Sequence, residues 1–349
     1  MKLCSIVGTR PNFIKLAPIS KEIRKKYKEI IIHTGQHYDD KMSNIFFKDM
    51  DIPTPDYNLN IHELLHGKQI GMMMIGIEDI LLSEQPDTVI VFGDTNSTLA
   101  GALSSVKLNI PVAHIEAGCR SYDMTMPEEQ NRIIVDHISK FLYAPTSSTA
   151  RILQGEDVNG DIYDYGDVAV DILNSIKCEK IPSDYILVTI HRPVNADSHI
   201  ILNRILSALN EVEYDIIFPV HPRTNKVLEN FKLKEKYTKI KYVDPMDYHT
   251  MISHIKSAKM IITDSGGIQK ESYILRTPCI TLRNTSEWIE TIESGWNKLI
   301  TQISKQNILD AIKTCKKPAV YIDHFGSVGV SNRIVSSIRE NINGNVRKP

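Results

Sequence analysis

Residues 91–105, VFGDTNSTLAGALSS, decide how the chain folds. An apolar run from Thr88 stops at Gly93 and Asp94, small residues at close spacing follow in TLAGALSSVKLN (98–109), and a second apolar run, PVAHIEA, occupies 111–117. Strand, small-residue helix, strand is the pattern of a crossover packed tightly on a parallel sheet. The pattern extends in both directions. Strand-like runs read LCSIVG (3–8), EIIIHT (29–34) and FLYAPT (141–146) around it, then YILVTI (185–190), DIIFPV (215–220), IKYVD (240–244), MIITD (260–264) and CITLR (279–283) beyond it. Helical stretches separate these runs, which predicts an α/β chain of two Rossmann-like halves; 349 residues suit two domains of about 150 residues each. The joint is expected in YDYGDVAVDIL near residue 168, giving domains 1–168 and 169–329, with a last helix in 330–349.

Composition narrows the function. A formal net charge of -1 lacks the basic excess that holds a polyanion, so nucleic acid is not an expected partner. The five cysteines, Cys4, Cys119, Cys178, Cys279 and Cys315, contain no C-x-x-C pair, which argues against a disulfide framework and a zinc site and suits a reducing cytosol. No apolar run approaches the ~18 residues that span a bilayer. The first residues lead straight into a strand rather than a signal peptide, so the expected setting is cytoplasmic without a membrane partner.

In open parallel sheets ligands gather at the carboxyl ends of the strands, where loop amides and helix N-termini converge. Asp94, Glu116, His191, His221 and Asp264 each end an apolar run, so five titratable groups belong at the rims of two sheets. Taken singly, either aspartate reads equally well as a helix cap, and a lone histidine at a strand end is more often structural. Taken jointly, they predict a cleft with acid and base groups supplied from both sides. In TDSGGIQKES the turn Ser265, Gly266, Gly267 lets backbone amides approach an anion, and a diphosphate suits it. The chain has neither the Lys-Ser/Thr of a phosphate-binding Walker loop nor a G-x-G-x-x-G after its first strand, so neither a nucleoside triphosphatase nor a nicotinamide enzyme is expected, and the reading requires no cofactor and no metal. GTRPNFIK sets Pro11 at a helix start, Arg10 on the loop and Lys15 one turn on; by themselves these read as surface cations. In MPEEQNRII, Glu128 lies four residues before Arg132, a spacing for an ion pair that is usually a surface pair.

The motifs GTRPNFIKLAPI, HTGQHYD, GDTNSTLAGALSS, PVAHIEAGCRS, MPEEQNRIIVDHIS, FPVHPRT and ITDSGGIQKES, in this order and nearly end to end, resemble the non-hydrolysing UDP-N-acetylglucosamine 2-epimerase family. The resemblance implies a two-domain fold of the glycosyltransferase-B type, with the domains facing across a cleft, UDP held mainly by the C-terminal domain and the terminal helix crossing back to the N-terminal one. It implies a homodimer acting on a UDP-sugar for surface polysaccharide precursors. Carried over by position, the catalytic set is Lys15, Asp94, Glu116, Glu128, Arg132 and His191. The UDP set is Arg10, His221, Ser265, Gly266, Gly267 and Glu271, the last on the ribose hydroxyls. The set for a UDP-N-acetylglucosamine activator is Gln36, His37, Gln69 and Arg192.

The implied reaction is anti elimination of UDP to 2-acetamidoglucal and re-addition from the other face. Two of Asp94, Glu116 and Glu128 serve the two faces of C2 in this reading. Arg10 and the Ser265–Gly267 amides stabilise the departing diphosphate. Four departures from the family pattern stand out: Ile70, Val194, Lys270 in place of a glutamate, and Trp288-Ile289 in place of Arg-Pro. Lys270 and Trp288 resemble a branch that epimerises UDP-2,3-diacetamido-2,3-dideoxy-glucuronate, the alternative substrate. A glycosyltransferase of the same architecture is a further alternative, which would leave the C2 proton untouched.

Overall fold

The computed structural model describes residues 1–36, 47, 50–62, 65–179, 181 and 183–345. The chain divides into two compact units, Met1–Ile172 together with His324–Pro349, and Leu173–Asp323. Each is built on one parallel sheet.

The first unit holds seven strands in the order β3-β2-β1-β4-β5-β6-β7: β1 (Lys2–Val7), β2 (Lys28–His33), β3 (Tyr57–Asn58), β4 (Thr88–Phe92), β5 (Val112–Ile115), β6 (Phe141–Ala144) and β7 (Asp161–Asp164). Five of these are the runs read from the sequence, and the central ones are buried end to end because helices cover both faces. The two that the sequence hid, β3 and β7, are edges; DIYD and YN are only partly buried and need no apolar run. On one face, Met73, Ile77 and Leu81 of the helix His66–Glu84 join Ile6, Ile32, Val89 and Val91 in the core. The spacing of four residues keeps those three side chains on one helical face.

The helix Val330–Asn345 belongs to this unit and packs on the helix Arg10–Arg24, with Ile334 and Ile338 fully buried. Its first turn is held by the Asp171 carboxylate, which accepts from the amides of Gly329 at 2.6 Å and Ser331 at 2.7 Å. Tyr143 on β6 meets Ser337 at 2.8 Å.

The second unit has six strands in the order β10-β9-β8-β11-β12-β13: β8 (Tyr185–Thr189), β9 (Asp215–Pro219), β10 (Ile240–Val243), β11 (Met260–Thr263), β12 (Cys279–Thr281) and β13 (Asn297–Leu299). Only the three-residue edge β13 lacked a readable run. Ile186, Val188, Ile205, Leu206, Phe218, Ile262 and Ile280 form its core. In both sheets the strand order reverses once at the centre, between β1 and β4 and between β8 and β11, the kind of point at which open parallel sheets generally hold ligands. Among the described residues no helix is long and apolar enough to cross a membrane.

Candidate active site

At the reversal point of the first sheet, β1 runs through Gly8 and Thr9 into the helix Arg10–Arg24. Asn12 locks this corner. Its Oδ1 accepts from the amides of Gly8 and Thr9, both at 3.2 Å, while its Nδ2 donates to the Phe92 carbonyl at 2.8 Å on the neighbouring strand. A Cβ on Gly8 would lie 2.0 Å from Ser97 Oγ, so the corner admits no side chain there. Arg10 is left exposed at the helix start, and Lys15, one turn on, forms an ion pair with Glu116.

Across the reversal, β4 ends at Phe92 and is followed by Gly93, whose φ of 64° belongs to the left-handed region that glycine tolerates. Thr95 caps the helix Asn96–Lys107, accepting from the Thr98 amide at 3.4 Å. The Asp94 carboxylate is thereby released from the capping role that its position suggested. It meets Arg132 at 2.5 Å instead. Glu116, after β5, has a φ of 73°, a conformation that costs a non-glycine residue about 1–3 kcal/mol and persists only where surrounding structure imposes it. Both its amide and that of Ala117 donate to the Tyr143 carbonyl, at 3.2 and 3.1 Å.

The helix Pro127–Ile138 supplies Arg132, and here the structure departs from the spacing argument. Arg132 pairs with Glu129, three residues before it, at 2.9 Å, whereas Glu128 is exposed. Glu129 is chosen by long-range bonds: it accepts from the amides of Ser121 at 2.9 Å and Tyr122 at 2.8 Å and so fastens the loop after Glu116. Burial works to raise the Glu129 carboxyl, but those amides and Arg132 outweigh it and hold the group below the ordinary 4.5. The first unit thus gathers Lys15, Glu116, Asp94 and Arg132 as two cation–carboxylate pairs at one sheet end, with Glu128 on the helix beside them.

Gln36 and Gln69 also converge in this unit. Gln36 Oε1 accepts from the Ser97 amide at 3.0 Å and hydroxyl at 2.6 Å, and Gln69 Oε1 accepts from Asn96 Nδ2 at 2.7 Å. Both hold the start of the helix Asn96–Lys107. His37 lies outside the described residues.

In the second unit, Asp264 at the end of β11 is fully buried, and its carboxylate accepts from the amides of His191 and Arg192, each at 3.0 Å, and from Asn195 Nδ2 at 3.1 Å. It is a brace for the loop after β8, not an exposed acid. Ser265 then caps the helix Gly266–Ile274, and the Gly266 carbonyl accepts from Trp288 Nε1 at 2.9 Å while the Lys270 ammonium lies 4.8 Å from the centre of the Trp288 ring. The departures Lys270 and Trp288 therefore form one assembly that steadies the Ser265–Gly267 turn.

His191 and His221 lie with ring centres 5.7 Å apart, and His221 caps the helix Pro222–Asn230 through Nδ1, which accepts from the Arg223 amide at 3.1 Å. Burial pushes both imidazoles below the ordinary 6.5; the Arg192 charge adds to this at His191, that of His191 and of Arg223 at His221, and Asp264 opposes it at both. Arg192 Nε donates to the Asp264 carbonyl at 3.2 Å. On the helix side, the Tyr248 hydroxyl donates to Glu271 Oε1 at 3.0 Å. His191, His221, Arg192 and the Ser265 turn thus share one sheet end, while Glu271 lies a turn further along the helix.

Paired cations and carboxylates at the end of the first sheet suit proton transfer, and a small-residue turn at the end of the second sheet suits an anionic group. The chain belongs to the UDP-N-acetylglucosamine 2-epimerase family, whose family model matches residues 21–339. It is 49% identical to a UDP-N-acetylglucosamine 2-epimerase homolog of Methanococcus maripaludis, over 97% of this chain and 99% of that protein. It is 40% identical to the UDP-2,3-diacetamido-2,3-dideoxy-D-glucuronate 2-epimerase of Pseudomonas aeruginosa, over 96% and 98%. The crystal structure of Methanocaldococcus jannaschii UDP-GlcNAc 2-epimerase in complex with UDP-GlcNAc and UDP matches with a TM-score of 0.86 at 41% identity, covering 97% of this chain and all of that one.

Proposed function

We propose that the protein is a non-hydrolysing UDP-N-acetylglucosamine 2-epimerase, an isomerase that interconverts UDP-N-acetylglucosamine and UDP-N-acetylmannosamine. The observation that carries this reading is the pairing of Lys15 with Glu116 and of Arg132 with Asp94 at the reversal point of the first sheet. A carboxylate removes the C2 proton, the C1–O bond breaks with departure of UDP, and 2-acetamidoglucal remains. Re-addition of the diphosphate oxygen to C1, with a proton delivered to C2 from the opposite face, gives the epimer. Asp94, Glu116 and Glu128 are the groups for the two proton transfers, and each positioned acid or base contributes about 10²–10⁴-fold. Lys15 and Arg132 hold Glu116 and Asp94 in place as ion pairs.

Arg10, the Ser265–Gly267 amides and His191 take the charge that develops on the departing diphosphate. His221 belongs with the diphosphate, and Glu271, oriented by Tyr248, with the ribose hydroxyls. Gln36, Gln69 and Arg192 are assigned to a second UDP-N-acetylglucosamine acting as activator. The exposed apolar stripe Met72, Ile75 and Leu82 on the helix His66–Glu84 supports a homodimer, and five cysteines outside any disulfide support a cytoplasmic setting. The uronate substrate is not favoured, since relatives at 49% and 44% identity carry the N-acetylglucosamine name and the uronate enzyme stands at 40%. The paired carboxylates argue against a glycosyltransferase, which would leave the C2 proton untouched.

The test is incubation with UDP-N-acetylglucosamine in D₂O, followed at C2 by NMR. Deuterium at C2 and a manno product are expected; retention of the C2 proton, or turnover of the uronate nucleotide in preference, defeats the reading.

A further inference from the structure

Two residues before Glu116, on β5, the His114 ring is fully buried. Its Nδ1 faces Asp136 Oδ1 and its Nε2 faces the Gly93 carbonyl oxygen, both at 2.7 Å. A carbonyl oxygen only accepts, so Nε2 carries a proton and donates. The other carboxylate oxygen of Asp136 accepts from the Gly118 amide at 3.1 Å and from Arg120 Nη1 at 2.7 Å, and Arg120 also holds Glu156 through two nitrogens at 2.8 and 2.6 Å. With a guanidinium and an amide aimed at it, Asp136 is a carboxylate and Nδ1 donates to it as well. Burial alone would raise the Asp136 carboxyl, yet the His114 and Arg120 charges hold it below its ordinary value.

The bond that matters is the one to Gly93. This carbonyl belongs to the peptide that joins Gly93 to Asp94, and the Gly93 amide donates back to the Ile115 carbonyl at 2.9 Å, so the turn is fastened to β5 on both sides. A Cβ at Gly93 would lie 2.8 Å from Lys15 Nζ and 3.3 Å from Glu116 Oε2, so the same peptide forms one wall of the Lys15–Glu116 pair. The helix Pro127–Ile138 reaches the turn three times. Arg132 holds the Asp94 carboxylate, Asn131 Nδ2 donates to the Asp94 carbonyl at 2.9 Å, and Asp136, four residues beyond Arg132 and therefore on the same face, holds the Gly93–Asp94 peptide through His114.

We propose that His114, oriented by Asp136, is a positioning residue for the C2 chemistry: its Nε2–H fixes the peptide that aims Asp94, beside Glu116 two residues further along its own chain segment. The proposal rests on the reading that Asp94 and Glu116 act on the sugar.

Two substitutions separate positioning from packing. The amide nitrogen of glutamine falls near the place of Nε2 and that of asparagine near Nδ1, so His114→Gln keeps a donor for Gly93 while His114→Asn keeps one only for Asp136. Misplacing a reacting group by about 1 Å costs about 10²-fold. His114→Asn is expected to lower kcat and C2 deuterium exchange by about that factor with KM and UDP affinity little changed, and His114→Gln to recover at least about tenfold of the loss. Equal losses in the two variants, no loss in His114→Asn, or a loss confined to KM would overturn the proposal. Absence of C2 exchange in the unsubstituted enzyme would instead defeat the functional reading. In that event, or if the variants do not fold, ¹⁵N-histidine NMR of the unsubstituted protein decides: a hydrogen-bonded, slowly exchanging Nε2–H on His114 supports the proposal, and an unprotonated Nε2 overturns it.

Discussion

The two units share a topology and use its strand ends in opposite ways. In the first, ion pairs crowd the sheet end: Glu116 with Lys15, Asp94 and Glu129 with Arg132, Asp136 with Arg120. In the second, Asp264 is consumed by backbone amides, burial lowers both histidines below their ordinary value, and the rim carries a small-residue turn. The difference teaches that a parallel sheet fixes where chemistry is placed and leaves its kind to the residues that follow each strand. Charge pairs poise groups for proton transfer; amides and uncharged rings receive an anion without leaving a buried charge when it departs.

The sharpest break of this comparison is Glu116→Gln. Turnover is expected to fall by about 10²–10⁴-fold while UDP affinity, measured by calorimetry, stays within about twofold. A parallel loss of UDP binding would erase the division of labour. Next comes Arg132→Met, which strands Glu129 and Asp94 without their shared cation and should cost about 3–5 kcal/mol in chemical denaturation; a cost below about 1 kcal/mol would mean the pairs are surface decoration. A glycine in each unit sharpens the contrast further. Gly93→Ala places a side chain in the left-handed region and against Lys15, and should lose about 1–3 kcal/mol of stability. Gly266→Ala meets nothing nearer than 3.5 Å, so stability should hold or rise by about 0.5 kcal/mol while UDP affinity falls.

The smallest effect is in pH. His191 and His221 sit below their ordinary 6.5 in the folded chain, so above that value they contribute no pH dependence. As pH falls through it the unfolded chain binds protons first and stability declines. Glu129 and Asp136 sit below their ordinary 4.5 and 3.8, so their contribution is complete above those values and is lost as pH falls through the lower folded ones. Both tryptophans, Trp288 and Trp296, lie in the second unit. Their fluorescence midpoint in urea should therefore weaken at higher pH than the far-ultraviolet signal of the whole chain; coincident decline would refute the assignment.

Much of this was readable without coordinates, for a physical reason. Central strands buried on both faces must be apolar throughout, so β1, β4, β5, β8 and β11 announce themselves, and Asp94, Glu116, His191 and Asp264 mark the rim after four of them. Edge strands carry no such obligation, which hid β3, β7 and β13. Local spacing misled at the helix Pro127–Ile138, where four residues favoured Glu128 but the Ser121 and Tyr122 amides claim Glu129 for Arg132. Capping misled as well: Thr95 and Ser265 take the helix starts, which frees Asp94 and leaves Asp264 to brace a loop. The positive φ of Glu116 has no signature in its residue type, and the His114–Asp136 bond spans 22 positions, a distance at which only the assembled fold brings partners together.

The return of the helix Val330–Asn345 to the first unit bears on how the chain is made. Its isoleucines close a hydrophobic wall against the helix Arg10–Arg24, yet the ribosome must deliver all of Leu173–Asp323 before that wall exists. The inserted unit is contiguous in sequence and can mature while the earlier half waits, exposed, for its last piece. Assembly order is thus inverted relative to synthesis, and the half that is translated first is the one most dependent on chaperone shelter.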